Sequence, residues 1–129
     1  MPQPAAKLAL RPLEDRNNPV AAGALDPTFG GDGTVAFDLG GTDRFNAAVT
    51  QADGRVVAVG TANGNFVVVR LTANGGLDPT FGAGGRREVD FQGTDEAFAV
   101  TLDNAGRIVV AGATSKGTGD MAVARLTAD

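Results

Sequence analysis

The chain has 129 residues, a formal net charge of −4, and 43% apolar and 20% charged residues, which favours one globular domain over a disordered chain. It has no cysteine and no histidine, so disulfides, thiolate metal sites, thiol nucleophiles and histidine bases are excluded. An acidic chain whose aromatic residues are all phenylalanine lacks the basic, stacking surface that nucleic acid needs. No apolar run is long enough to span a bilayer, so membrane insertion is not predicted either.

The first 23 residues are predicted to form a mobile leader. Four prolines interrupt this segment, and proline breaks both helices and strand ladders. The apolar run at residues 5–10 contains Lys7 and is too short for a complete signal peptide. Residues 13–19 resemble a Leu-Glu-Asp-Arg-x-x-Pro stretch near the N-terminus of large exported bacterial proteins. The leader is therefore either an unstructured polar segment or an export-related one.

An internal repeat follows the leader. The hexapeptide Leu-Asp-Pro-Thr-Phe-Gly at residues 25–30 recurs at 77–82, an offset of 52, and residues 25–60 match 77–112 at 16 of 36 positions. Repetition on this scale is typical of stacked repeat architectures. We predict one unit at residues 24–76 and a second at 77–129, with three extra residues in a surface loop around 114–119.

The residues that define the repeat are found at matching positions in the two units. They are Leu25, Asp26, Pro27, Phe29, Gly30 and Arg70 in the first unit, and Leu77, Asp78, Pro79, Phe81, Gly82 and Arg125 in the second.

Each unit reads as four short strands separated by turns. Asp-Gly and Asn-Gly pairs between apolar runs are strong hairpin signals, and no long segment keeps a helical period. The predicted fold is all-β, with two four-stranded antiparallel blade-like sheets forming a partial β-propeller. The predicted strands are 33–39, 45–51, 55–60 and 65–71 in the first unit, and 85–91, 97–102, 107–112 and 120–126 in the second.

The last strand of each unit is apolar on both faces. In the first unit Phe66 and Val68 alternate with Val67 and Val69, and the second unit places Met121 and Val123 opposite two alanines. A sheet with one wet face would alternate apolar and polar residues, so both sheets are predicted to be covered on both sides. The charged residues 86–88 predict a more exposed first strand in the second unit.

The order of these motifs resembles the bacterial delta-60 repeat. The resemblance rests on Leu-Asp-Pro-Thr-Phe-Gly, then Gly33, the segment 52–60, and Arg-Leu-Thr-Ala-Asn-Gly at 70–75, and it covers residues 25–129. It implies a β-propeller-like tandem array at the cell surface or secreted, without an assigned reaction. The chain differs from such arrays in having two copies.

The hexapeptide predicts a turn followed by a packed aromatic ring. Asp26 and Asp78 precede proline, an arrangement that suits a type I turn held by the aspartate side chain. Phe29 and Phe81 are predicted to fill the seam between neighbouring sheets, in preference to stacking on a ligand.

Arg70 and Arg125 lie on otherwise apolar strands, where an unpaired buried charge is unfavourable. Each is expected to pair with a carboxylate in a repeated structural ion pair. The candidate partners are the repeated acids Asp26, Asp38, Asp78 and Asp90.

The remaining candidates for chemistry are acidic loop residues. The Gly-rich turns at 30–33 and 63–65 lack the full calcium-loop pattern with its distal Glu, so neither a metal nor a cofactor is predicted. Asp43 and Asp95, with the 114–119 insertion, are the contacts we consider for a carbohydrate or peptide ligand.

Two functional hypotheses remain. The first is a non-catalytic structural or protein-interaction module of a bacterial surface or exported protein; the second is a ligand-binding propeller module. Propellers contain about four to eight blades, so two units cannot close a ring. Neighbouring repeats or self-association are therefore expected to cover the remaining faces.

Overall fold

The computed structural model describes residues 21–129, and the predicted leader lies outside this range apart from residues 21–23. The export-like stretch at 13–19 lies outside it as well. The fold is all-β, and residues 21–129 contain no helix suited to crossing a membrane. The seven strands are β1 (Asp43–Thr50), β2 (Val56–Ala62), β3 (Asn65–Leu71), β4 (Arg86–Val89), β5 (Asp95–Leu102), β6 (Ile108–Thr114) and β7 (Asp120–Leu126).

The first sheet contains four antiparallel strands in the order β1-β2-β3-β4. The β2–β3 hairpin turns through Asn63 and Gly64, whose φ angles are 53° and 79°. Positive φ at both central residues is the requirement of the two-residue turn that matches strand twist. The predicted Asn-Gly hairpin is confirmed.

The second sheet contains three strands, in the order β5-β6-β7, so the prediction of four strands in each sheet is wrong. The missing strand is β4, which follows the second hexapeptide in sequence but pairs with β3 of the first sheet, Val69 opposite Arg86 and Phe66 opposite Val89. The boundary between the sheets therefore falls after β4, whereas the sequence repeat begins at residue 77.

The segment 33–39 was predicted to be a strand and is not one. Its counterpart in the second unit, β4, is a strand because the edge of β3 lies beside it, whereas no strand edge lies beside 33–39 in the described part of the chain. The expectation that the charged first strand of the second unit would be the more exposed one is also wrong, since Arg86 and Glu88 are half-buried whereas Thr34 and Ala36 are exposed. Pairing with an available edge outweighs strand propensity here.

The main core lies between the two sheets, where β5 packs against β1, β2 and β3. The inner face of the first sheet, defined as the face toward the second sheet, contributes fully buried Phe66 and Val68. Phe66 meets Phe91 edge to face, with ring centroids 5.0 Å apart. The second sheet contributes Ile108 and Val110, both with no exposed area.

The opposite, outer face of the first sheet is also dry. Val67 and Val69 are fully buried there, and Val35 and Phe37 from the segment that precedes β1 pack against them. The predicted alternation along β3, with both faces covered, is confirmed.

The second sheet is covered on one side alone. Ala122 is 4% exposed on the inward side of β7, but Met121 and Val123 on the other side are 95% and 64% exposed. The prediction that both faces of this sheet are covered is therefore wrong within the chain, because no described segment packs on that side. We call this surface, which carries Val109, Ala111, Met121 and Val123, the open face.

Each sheet has a bulge in its first strand, and a glycine stands opposite. The register shifts between Ala97 and Ala99 in β5, and Ala97 pairs with Gly112 of β6. A Cβ at Gly112 would lie 2.0 Å from the carbonyl oxygen of Glu96. Gly60 has the same relation to Arg44 in the first sheet, at 1.8 Å. Glycine is required here by close backbone approach.

The variant Gly112→Ala is expected to destabilise the protein by about 1–3 kcal/mol, because the added methyl group forces β5 and β6 apart. Gly76→Ala is the matched control, since the nearest atom to a methyl group added there would be the Thr72 hydroxyl oxygen at 3.5 Å. Urea denaturation followed by circular dichroism measures both. Equal effects of the two substitutions would contradict the steric explanation.

Candidate interaction surface

The repeated hexapeptide forms the same hydrogen-bonded turn twice. The Asp26 carboxylate accepts the backbone N–H of Thr28 at 2.9 Å and its hydroxyl at 2.7 Å. The Asp78 carboxylate accepts the equivalent bonds from Thr80 at 3.0 and 2.6 Å. In both turns the aspartate carbonyl also accepts the N–H three residues later. The two turns are therefore locally equivalent.

The two turns differ in what surrounds them. Phe81 follows the second turn and is 3% exposed in the core between the sheets. Phe29 follows the first turn and packs, partly buried, on the outer face of the first sheet. Asp78 is 2% exposed, whereas Asp26 is exposed.

Arg70 forms a buried ion pair with Asp78. Its Nε donates to the Asp78 carboxylate at 2.8 Å, and the two side chains are 1% and 3% exposed. The guanidinium also donates to the carbonyl of Ala128 at 2.9 Å and lies 4.8 Å from the Phe81 ring centroid. Arg55 approaches the same Asp78 oxygen at 3.3 Å. Buried charges need this density of partners.

Of the four acids considered as partners for the arginines, Asp78 alone pairs with Arg70. Asp38 accepts the N–H of Gly40 at 2.9 Å, and Asp90 accepts that of Gln92 at 2.6 Å. These two acids hold local turns, as Asp side chains commonly do.

The second arginine of the repeat, Arg125, is exposed and forms no ion pair with any residue in the range 21–129. It lines an open cleft of about 300 Å³ beside Phe81, Arg87 and the C-terminal Asp129. The predicted ion pair of the second unit is therefore absent within the described chain. Its equivalent acid, Asp26, lies in the first turn and is exposed as well.

The pKa of Asp78 is lowered to about 2 by the hydrogen bonds from Thr80, with a further contribution from Arg70. A carboxylate whose folded pKa lies below its unfolded value near 3.9 stabilises the fold above that pH. This contribution is expected to be lost as the pH falls from about 4 to about 2. Urea titrations from pH 2 to 6 should show a weaker pH dependence for Asp78→Asn than for the wild type; parallel curves would contradict the assignment.

Asp43 and Asp95, considered above as ligand contacts, hold turns inside the structure. One oxygen of Asp95, a residue with no exposed area, accepts the N–H of Phe91 at 2.7 Å. Asp43 accepts the N–H of Leu39 at 2.6 Å in the same way. The remaining carboxylate oxygen of each is also buried. Each acid begins a bulged strand and bonds back to the turn before it, so neither is presented to a surface ligand.

The insertion in the second unit forms an exposed turn at residues 115–119 between β6 and β7, as predicted.

In the Gly-rich turn at 30–33, Asp32 accepts the N–H and hydroxyl of Thr34 at 2.9 and 2.7 Å. Among residues 21–129, no three His, Cys, Asp or Glu side chains are grouped so as to hold a metal ion.

Among the large apolar side chains on the described strands, those of the second sheet have the highest exposed fractions. Besides Met121 and Val123 on β7, Phe98 in the bulged strand β5 is 53% exposed. Apolar groups clustered on one exposed sheet surface are typical of interaction sites. Sequence reasoning missed this surface because it treated the two units as equally covered. The sequence shows where the repeat begins, but the boundary between the sheets is visible in the structure alone, through the pairing of β4 with β3.

A family model described as "Domain of unknown function (DUF5122) beta-propeller" matches residues 51–81 and 106–129. The first segment contains β2, β3 and the second hexapeptide turn, and the other contains β6 and β7. No curated protein and no solved structure matched the chain. With its two stacked antiparallel sheets and repeated motifs, the chain has a β-propeller-like fold.

Proposed function

We propose that the chain is a non-catalytic structural and protein-interaction module that binds through the open face of its second sheet. The observation that carries this proposal is the contrast between equivalent positions of the two units. Phe66 and Val68 are fully buried, whereas Met121 and Val123 at the same places are 95% and 64% exposed. Exposed apolar surface of this kind is stabilised when a complementary surface covers it.

The acidic groups support a structural role. The carboxylates of Asp26, Asp32, Asp53, Asp78 and Asp103 each accept a backbone N–H of their own turn. Carboxylates with such hydrogen bonds stabilise the conformation of their turns. An acid–base pair for catalysis needs, by contrast, carboxylates that converge on a cleft. Detection of a turnover that Asp43→Asn or Asp95→Asn abolishes would contradict the non-catalytic assignment.

The delta-60 resemblance supports an origin in a bacterial surface or exported protein. Its basis is the order of motifs from Leu25 to Gly75 and their recurrence in the second unit. Protease digestion of intact producing cells tests this location, with loss of the protein expected before lysis. Protection until lysis would contradict it.

Carbohydrate or peptide binding through the acidic loops is the less favoured function, because Asp43 and Asp95 are engaged inside their turns.

The interaction surface is tested by placing charges on it. The double variant Met121→Asp, Val123→Asp is expected to abolish association of the purified chain without changing its circular dichroism spectrum. Ala105→Asp, Thr118→Asp is the control with the same charge change at two exposed loop positions. Light scattering over a concentration series measures association. A wild-type chain that stays monomeric, with Met121 oxidised by peroxide as fast as free methionine, would contradict the proposal.

A further inference from the structure

The contact between the two sheets is encoded twice in the sequence and formed once within the described chain. On the inner face of the first sheet Val59 pairs with Val68, and both are fully buried against the second sheet. The equivalent pair on the open face is Ala111 and Val123, of which Val123 is 64% exposed. The second sheet therefore presents the surface that the first sheet uses for stacking.

The complementary surface is the outer face of the first sheet. In the contact that is formed, the second sheet packs through Ala122 of β7. The residue of the first sheet equivalent to Ala122 is Val67, which lies on the outer face. The open face thus repeats the surface that the first sheet contributes to the formed contact, and the outer face of the first sheet repeats the surface that the second sheet contributes.

Residues 34–37 lie where the outermost strand of a preceding sheet would lie. They correspond to β4 at the offset of 52. From β4, Val89 packs toward the second sheet; from 34–37, Val35 and Phe37 pack in the same sense toward the first sheet. The segment has the packing of an outer strand and lacks the strand to which it would bond.

The edge of β7 offers that strand. In the first sheet the equivalent strand, β3, carries β4 on the edge away from β2. In the second sheet β7 lies at the edge, and no strand of the described residues covers it. An uncovered edge presents a row of unpaired backbone donors and acceptors.

We propose that the chain assembles head to tail with a second copy of itself, residues 34–37 of one copy forming the fourth strand on β7 of the other. This inference deepens the proposed interaction function and rests on it. The pairing of β4 with β3 in the first sheet is the template that sets the register. Val89 lies opposite Phe66 there, so Phe37 is expected opposite Met121. Arg87 lies opposite Val68, so Val35 is expected opposite Val123. The open face of one copy is then covered by the outer face of the other, which is strand addition to a free edge.

The charges at the two ends match the same template. Arg70 pairs with Asp78 across β3 and the turn that leads into β4, at 2.8 Å. The equivalent arginine, Arg125, lines an open cleft at one end of the chain, and the equivalent acid, Asp26, is exposed at the other. Asp26 is already held by Thr28 in the geometry that Asp78 has in the formed pair. In the assembly the Arg125 cleft of one copy receives the Asp26 turn of the next.

This contact joins two different surfaces, so it propagates from copy to copy until it closes. The described residues of each copy supply two blade-like sheets, and propellers contain about four to eight blades. The expected product is a closed ring of about two to four chains.

A charge exchange tests the pairing. Arg125→Asp and Asp26→Arg are each expected to weaken association at least about 30-fold, because each places like charges together at the contact. An equimolar mixture of the two variants, or the double variant, is expected to recover association, since opposite charges face each other again. Sedimentation velocity measures the assemblies. Lys116→Asp is the control with the same charge change at the exposed 115–119 turn, and it should associate as the wild type does.

Cysteine crosslinking tests the register in a chain that has no cysteine of its own. The double variant Val35→Cys, Val123→Cys is expected to form covalent oligomers on mild oxidation, because directly opposite strand residues lie within disulfide reach. Ala36→Cys, Val123→Cys is the matched control, since adjacent strand residues point to opposite faces. Equal crosslinking of both variants, or none in the first, would overturn the proposed register.

The outcomes separate this inference from the function on which it rests. In one outcome, Met121→Asp, Val123→Asp abolishes association, but the charge-exchange variants associate as the wild type does and no specific crosslink forms. This outcome overturns the head-to-tail arrangement and retains the interaction surface. A chain that stays monomeric throughout overturns both.

Discussion

Phe66→Ala is expected to lower the free energy of unfolding by about 3–5 kcal/mol, because it opens a cavity in the core between the sheets. Phe66 has no exposed area and lies edge to face with Phe91 at 5.0 Å. Neighbouring Val68 and Val110 are in packed strands and cannot collapse fully into the space.

Met121→Ala is the matched control, since Met121 holds the same place in the second unit and is 95% exposed. In the monomer its effect is expected to stay within about 0.5 kcal/mol. Both variants should be measured by urea denaturation in an Arg125→Asp background at low protein concentration, so that association does not contribute. A large loss of stability for Met121→Ala in that background would show that the open face is covered within one chain.

Arg70→Met is expected to destabilise the fold by about 3–5 kcal/mol, because it leaves the buried Asp78 carboxylate without its buried cationic partner. Methionine keeps most of the apolar stem, so the loss reports chiefly on the charge. The value should lie near the lower end, since Arg55 still approaches the same carboxylate oxygen of Asp78 at 3.3 Å.

Arg125→Met is the control for this substitution, because Arg125 is exposed and forms no ion pair within residues 21–129. Its effect on the monomer is expected to be within about 0.5 kcal/mol. Thermal and urea unfolding of the two variants give the comparison. Equal losses would contradict the different environments that the structure assigns to the two arginines.

The local elements were predictable because their signals are local. The Asn63-Gly64 hairpin depends on two residues that tolerate positive φ. The Asp78 turn depends on a side chain that bonds to the backbone two residues later. Strand alternation along β3 likewise follows from which neighbours are apolar.

The placement of Asp95 and of residues 33–39 was not predictable in this way. Aspartate is a residue type common in loops, yet the bulged strand places the Asp95 carboxylate where it accepts the backbone N–H of Phe91. Residues 33–39 carry a strand pattern but have no edge to join among the described residues. Both outcomes depend on which backbone groups and strand edges other parts of the chain place beside these residues.

The sequence by itself predicted the approximate positions of the seven strands, together with an eighth at 33–39 that does not form, and it predicted the repeated acidic turns and the need for apolar faces to be covered. Only the tertiary structure decided that β4 leaves its repeat for the preceding sheet, so that Arg70 is buried with Asp78 while Arg125 and Asp26 lie apart. The physical reason is that the alternation of apolar and polar residues along a strand determines which side chains avoid water, whereas backbone hydrogen bonding between strands depends little on side-chain identity. The choice of partner therefore depends on which edge lies alongside once the sheets have stacked.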